Sequence, residues 1–125
     1  MTAPSSPGRR CGSCCHAALH AALRHHAPKS GWLIITLGKS GALALADGHL
    51  LRATPPPVIA ISAVGSGDAF TAGLVAGLPR GPEHALRLAS ACGAANALTP
   101  HSGHLNRADV VRLLDKANVE ELTPW

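Results

Sequence analysis

The chain of 125 residues is poor in aromatics, with one Phe, two Trp and no Tyr, 2% in all. Large rings bury the most area per side chain, so any core here has to be assembled from Leu, Ile, Val and Ala. Charge is scarce as well: 14% of residues are charged, against roughly 25% in ordinary soluble chains. That excludes charge-solvated disorder and a charge-laced coiled coil. The formal net charge is +4, yet no run of Lys or Arg exceeds Arg9-Arg10 and no aromatics interleave with basic residues. A nucleic-acid partner is therefore not expected. No apolar run reaches the roughly 18 residues of a membrane span, and the start lacks a secretory apolar stretch. We expect no membrane partner and a cytoplasmic location. The four Cys do not form the framework of a disulfide-stapled domain. Cys11, Cys14 and Cys15 crowd together and Cys92 stands alone, which fits free thiols in a reducing compartment.

What is present is an apolar fraction of 46%, rich in Leu and Ala, punctuated by 13 Gly and 10 Pro. Residues 1–16 form a Pro-, Gly- and Cys-rich leader without periodicity. From Ala17, Leu19 and Leu23 recur on one helical face until Pro28. Trp32–Leu37 reads as a strand, the Gly38-Lys39-Ser40-Gly41 turn follows, and Ala42–Ala46 and His49–Ala53 read as further strand elements divided at Asp47-Gly48. Pro55-Pro56-Pro57 bars a helix or central strand, and Val58–Ile61 predicts a short strand leading into Gly65. Phe70, Leu74, Val75 and Leu78 at helical spacing predict a helix ended by Gly77 and Pro79. A second helix opens at Pro82 and closes at Thr99-Pro100, its many Ala residues implying close packing. Asn106 is placed to cap a third helix whose buried side is Val110, Val111, Leu113, Leu114 and Ala117. The ordered unit spans 17–118 and a tail spans 119–125. The class is mixed α/β, with strand order left open.

The sharpest chemical feature is Gly65-Ser66-Gly67-Asp68. Glycines just before a helix permit unusual backbone angles and expose N–H groups at the positive helix end, which suits phosphate oxygens. Asp68 either caps or charges that helix start or accepts a proton from an attacking alcohol. The pattern is neither a dinucleotide GxGxxG nor a Walker A loop. Gly38-Lys39-Ser40-Gly41 has Lys-Ser without a leading Gly or following helix, so it reads as a strand turn or a phosphate contact. Cys11-x-x-Cys14-Cys15-His16, with His20, His25 and His26, offers Zn²⁺ ligands but no second CxxC, so no metal site is expected. Cys92 reads as a small buried side chain without an orienting base. Asn96 either lies near a nucleotide or satisfies a polar contact between helices.

Two blocks carry a family resemblance: Ile35-Thr36-Leu37-Gly38-x-x-Gly41, then Ala63-Val64-Gly65-Ser66-Gly67-Asp68-Ala69-Phe70-x-Ala72-Gly73. Together they resemble the ribokinase/PfkB carbohydrate kinases, and Cys92–Pro100 is most similar to the 1-phosphofructokinase and tagatose-6-phosphate kinase branch. The resemblance runs from near Ala18 to Leu114 and implies the C-terminal portion of a truncated, ribokinase-like three-layer α/β fold. It implies ATP-dependent phosphoryl transfer to a hydroxyl of a sugar or sugar phosphate. In that scheme the Gly65, Ser66 and Gly67 backbone forms an anion hole and Asp68 is the general base. Thr36, Gly38, Lys39, Ser40, Gly41, Gly67, Asp68 and Asn96 would contact the nucleotide. Mg²⁺ would accompany ATP, and a monovalent cation would sit by the Thr99–Gly103 loop as in some relatives. Ser66 replaces the more usual Ala of GAGD, and His101-Ser102-Gly103-His104 departs from the family's last loop. The resemblance also implies a missing N-terminal half bearing the sugar site. The isolated chain is then expected to be inactive, and the alternative function is a nucleotide-binding or interaction module prone to self-association.

Overall fold

The computed structural model describes residues 17–26 and 31–122. Cys11, Cys14, Cys15, His16 and the rest of the leader lie outside those residues. Helix α1 covers 17–25. Strands β1 (Trp32–Thr36), β2 (Ala42–Ala46) and β3 (His49–Thr54) follow, then helices α2 (Ser66–Gly77), α3 (Pro82–Ala97) and α4 (Arg107–Leu114), and strand β4 (Asn118–Glu121). The sheet has the order β1-β2-β3-β4, and each neighbouring pair is antiparallel.

Alternation along the strands makes two apolar faces. On one face Leu43, Leu45 and Leu50 pack with Leu19 and Leu23 of α1. On the other, Ala42, Ala44, Leu51 and Ala53 pack with Leu86 of α3 and with Phe70 and Leu74 of α2. The result is a three-layer α/β arrangement in which the central strand β2 is buried at every position. With so few aromatics, small residues fill the helix-facing side and draw the helices in. A Cβ on Gly77 would lie 2.7 Å from Ala85 Cα, and one on Gly73 would lie 2.9 Å from Ala89 Cα. Glycine there lets α2 and α3 pack backbone against backbone. Helix α4 covers the far side of α3, with Leu113, Val110 and Leu114 against Ala91, Ala94 and Ala95. Its N-cap is Asn106, whose side chain accepts from the Ala108 N–H at 3.0 Å.

Four sequence expectations need correction. Val58–Ile61 is not a strand: it lies outside the sheet, with Ile59 92% and Ile61 65% exposed. A strand requires a neighbour, and here the Ile61 and Ser62 N–H groups go instead to the Ala97 carbonyl at the end of α3. Val75 and Leu78 do not join the buried stripe of α2, because its buried line is Ala69, Gly73 and Gly77. Val111 is 61% exposed on the flank of α4. The tail read from 119 begins inside β4, where Ala53 pairs with Val119 and the Leu122 N–H donates to the Leu50 carbonyl at 2.8 Å.

Candidate functional site

β1 and β3 run in the same direction, so the 37–41 turn and the 55–65 segment leave the sheet from one end. The second segment ends in Gly65, the N-cap of α2, at φ +87° and ψ −3°. A Cβ at Gly65 would overlap Ser102 Oγ and lie 2.9 Å from Gly103 N. Both the left-handed backbone and the neighbouring loop therefore require glycine. No side chain caps the helix. Asp68 is thus not the cap: it sits in the first turn with its carboxylate exposed.

Backbone donors in this turn are not equivalent. The Ser66 N–H is engaged by the Ala63 carbonyl at 3.1 Å, and the Ala69 N–H reaches Gly65 O at 2.9 Å. Gly67 and Asp68 are exposed, and the first turn of a helix leaves such N–H groups without intrahelical acceptors. A Cβ at Gly67 would meet nothing within 4 Å, so a ligand has open access to the helix end. An anion at that end would be stabilised by the N–H groups and by the helix dipole.

Asn96, read in the sequence as a nucleotide contact or a structural polar group, takes the second role. It is fully buried, at 0% exposure. Its Nδ2 donates to Val64 O at 2.8 Å and to Ser66 Oγ at 3.2 Å, and its Oδ1 accepts from the Gly103 N–H at 2.8 Å. Those three hydrogen bonds engage both ends of the buried amide. An amide in an Ala-rich helix was the available signal, since buried polar groups must find partners. The involvement of Ser102 and Gly103 carried no such mark.

Thr36 is exposed at the end of β1, Gly38, Lys39 and Ser40 are exposed in the 3-10 turn of the β1–β2 connection, and Gly41 is buried beside the end of β3. Among the described residues no hydrogen bond joins this turn to 65–68. Two surface depressions, one lined by Arg80, Glu83, His84 and Arg87 and the other reaching from Arg80 to His49 and Glu121, contain no residue of 65–68. Cys92 is buried, and burial pushes its thiol pKa up, which suits packing rather than nucleophilic chemistry.

Residues 11–108 match the profile of the pfkB family carbohydrate kinases. The chain belongs to the pfkB family of carbohydrate kinases. The match begins earlier than Ala18 and reaches into the segment read as a leader. The chain is similar to ATP-dependent 6-phosphofructokinase isozyme 2 of Mycobacterium tuberculosis, with 39% identity over 87 residues that cover 68% of this chain and 26% of that one. Tagatose-6-phosphate kinase of Staphylococcus epidermidis is 35% identical over 77 residues, covering 60% and 25% respectively. In fold, the chain is similar to phosphofructokinase-2 from Escherichia coli in complex with potassium, with TM-score 0.68 and 22% identity, covering 89% of this chain and 34% of that structure. The chain therefore spans about a quarter of the length of the two kinases matched in sequence. These neighbours bear out the ribokinase-like α/β fold class expected from the sequence, and the sheet of this chain is a small antiparallel one.

Proposed function

We propose that the protein containing this segment transfers the γ-phosphoryl group of ATP to a hydroxyl of a sugar or sugar phosphate, with a phosphorylated fructose or tagatose as the favoured acceptor. The observation that carries this reading is the uncapped α2 terminus, where Gly65 turns the chain and Asp68 stands exposed in the first turn. Asp68 accepts the proton of the attacking hydroxyl as the new O–P bond forms. The Gly67 and Asp68 N–H groups, with Gly65 setting their aim, stabilise charge on the phosphoryl oxygens. Ser66 contributes less as a donor, because its N–H is engaged by Ala63. Thr36, Gly38, Lys39 and Ser40 lie exposed at the same end of the sheet and suit contact with the nucleotide phosphates, with the buried Gly41 closing the turn through its N–H to Gly38 O.

Mg²⁺ fits this site only as an ion brought by ATP. Among the described residues no group of three His, Cys, Asp or Glu could hold a metal, so phosphates, water and residues beyond this segment would supply its ligands. When bound, it neutralises phosphate charge. A monovalent cation belongs to the same proposal beside Thr99–Gly103, where the His101 and His104 carbonyls already turn towards the Thr99 hydroxyl.

Phosphoryl transfer needs positioned reactants and exclusion of water, and Asp68 is open to solvent. The isolated chain is accordingly inactive in this reading, and turnover requires the remaining part of a pfkB fold. A second reading, a nucleotide-binding or interaction module that self-associates or binds such an N-terminal portion, is favoured by exposed Ile59, Ile61 and Val64, at 92%, 65% and 69%.

The test is a coupled assay with ATP, Mg²⁺ and fructose 6-phosphate, tagatose 6-phosphate or fructose 1-phosphate, on the chain alone and together with the N-terminal portion of the Mycobacterium tuberculosis relative. We expect turnover only in the combined sample, and a loss of about 10²–10⁴-fold in kcat with Asp68→Asn. Full activity of Asp68→Asn, or no ATP binding by the combined sample, would overturn the reading.

A further inference from the structure

Asn96 lies in a helix whose surrounding residues are Ala, Cys and Gly, and a buried amide there must be matched by partners of the right polarity. Its partners are divided between two loops. Nδ2 serves Val64 O and Ser66 Oγ in the turn that opens α2, and Oδ1 serves the Gly103 N–H in the loop after α3. The loops also touch directly, since Gly65 leaves no room for a Cβ beside Ser102. The second loop is closed onto the end of α3 by Thr99 Oγ1, which lies 2.9 Å from His101 O and 3.3 Å from Asn96 O.

We infer that Asn96 is a positioning residue, a strut through which α3 fixes the Gly65–Asp68 turn and the 99–104 loop relative to each other. Its functional consequence rests on the phosphoryl-transfer reading: the turn's N–H groups are held in aim before a ligand arrives, and the loop moves only with the turn. The amide is suited to this because its two ends have opposite polarity, each fixed by a different loop. Asn96→Asp keeps an acceptor for Gly103 but turns an oxygen towards Val64 O. Asn96→Leu removes both links while keeping an apolar side chain of similar size.

Amide hydrogen exchange of the full chain, followed by NMR, separates these cases. With the helix amides of Ala91 and Ala95 as internal references, Asn96→Leu is expected to speed exchange at both Ser66 and Gly103 by about tenfold or more. Asn96→Asp is expected to speed Ser66 alone, leaving Gly103 within about threefold of the original rate. Uniform acceleration that includes Ala91 and Ala95, or no change at Gly103 in Asn96→Leu, would overturn the inference. Should either variant fail to fold, the unsubstituted chain decides. Asn96 Nδ2 protons that exchange far more slowly than those of exposed Asn106 support the strut, and equal rates refute it. None of these readouts needs turnover, so the loop pattern in this chain together with no ATP binding by the combined sample would sink the kinase reading alone.

Discussion

Strand β2 and the segment that follows β3 are made of similar residues and meet opposite fates. Ala42–Ala46 is hydrogen-bonded along both edges and covered on both faces, by α1 on one side and by α2 and α3 on the other. Val58-Ile59-Ala60-Ile61 has the stronger β-branched composition, yet Ile59 is almost wholly exposed and the Ile61 N–H turns to α3. A strand is thus a property of a pair of segments, and apolar composition supplies only one member. The contrast also locates where the chain is unsatisfied: the exposed run leads directly into Gly65, so the candidate site lies at the edge of the packed region.

Truncation of side chains on the two sides of this contrast should give the largest difference. In urea denaturation followed by circular dichroism, Leu50→Ala should lower the unfolding free energy by about 2–5 kcal/mol, because Leu50 is fully buried between sheet and α1. Ile59→Ala should change it by no more than about 0.5 kcal/mol. Equal losses would break the comparison.

Next in size is the helix pair that covers the sheet. Gly77→Ala forces a methyl group against Ala85 and should cost about 1–3 kcal/mol in the same measurement. An unchanged midpoint would mean that α2 and α3 separate without loss. Smaller in stability, but informative about the exposed run, is Ile61→Lys. It should leave the midpoint in place and weaken concentration-dependent association in sedimentation velocity; association that persists unchanged would show that this run does not mediate it.

The smallest effect concerns the outer edge of the sheet. His49 Nδ1 lies 2.9 Å from Glu121 Oε2, joining β3 to β4. The hydrogen bond and the charge of Glu121 raise the His49 pKa from its ordinary 6.5, opposed by slight desolvation and assisted by Asp47. A raised folded-state pKa adds stability below the unfolded value, and that stability is lost as pH rises through the folded one. Protection of the Val119 amide should therefore decline slightly as pH increases from below 6.5 to above the raised value, once intrinsic exchange is corrected for. His49→Gln should flatten that dependence, and an identical slope in both proteins would show that the pair does not hold β4.

Much of this arrangement was legible from local signals. Asp47-Gly48 marked the β2–β3 turn, Asn106 marked the start of α4, and Pro82 marked the start of α3, because each fixes backbone angles or caps within a few residues. Gly65 likewise announced a turn before a helix. The exposure of Val75 and Val111 was not legible, because a helical stripe specifies an apolar side without saying how wide a neighbour will cover it. Strand β4 was missed because Asn118-Val119-Glu120-Glu121 is a polar edge segment whose pairing depends on β3, which is more than sixty residues earlier in the chain.

By itself the sequence determined the local pieces: a glycine turn before a helix, an acidic residue in that helix's first turn, and a family resemblance read from near Ala18 to Leu114. Tertiary structure alone decided which apolar residues are covered, that Asp68 is exposed rather than capping, and that Asn96 joins two loops from within α3. Backbone conformation follows from the steric limits of neighbouring residues, whereas burial and hydrogen-bond partnership depend on groups that only the folded chain brings together.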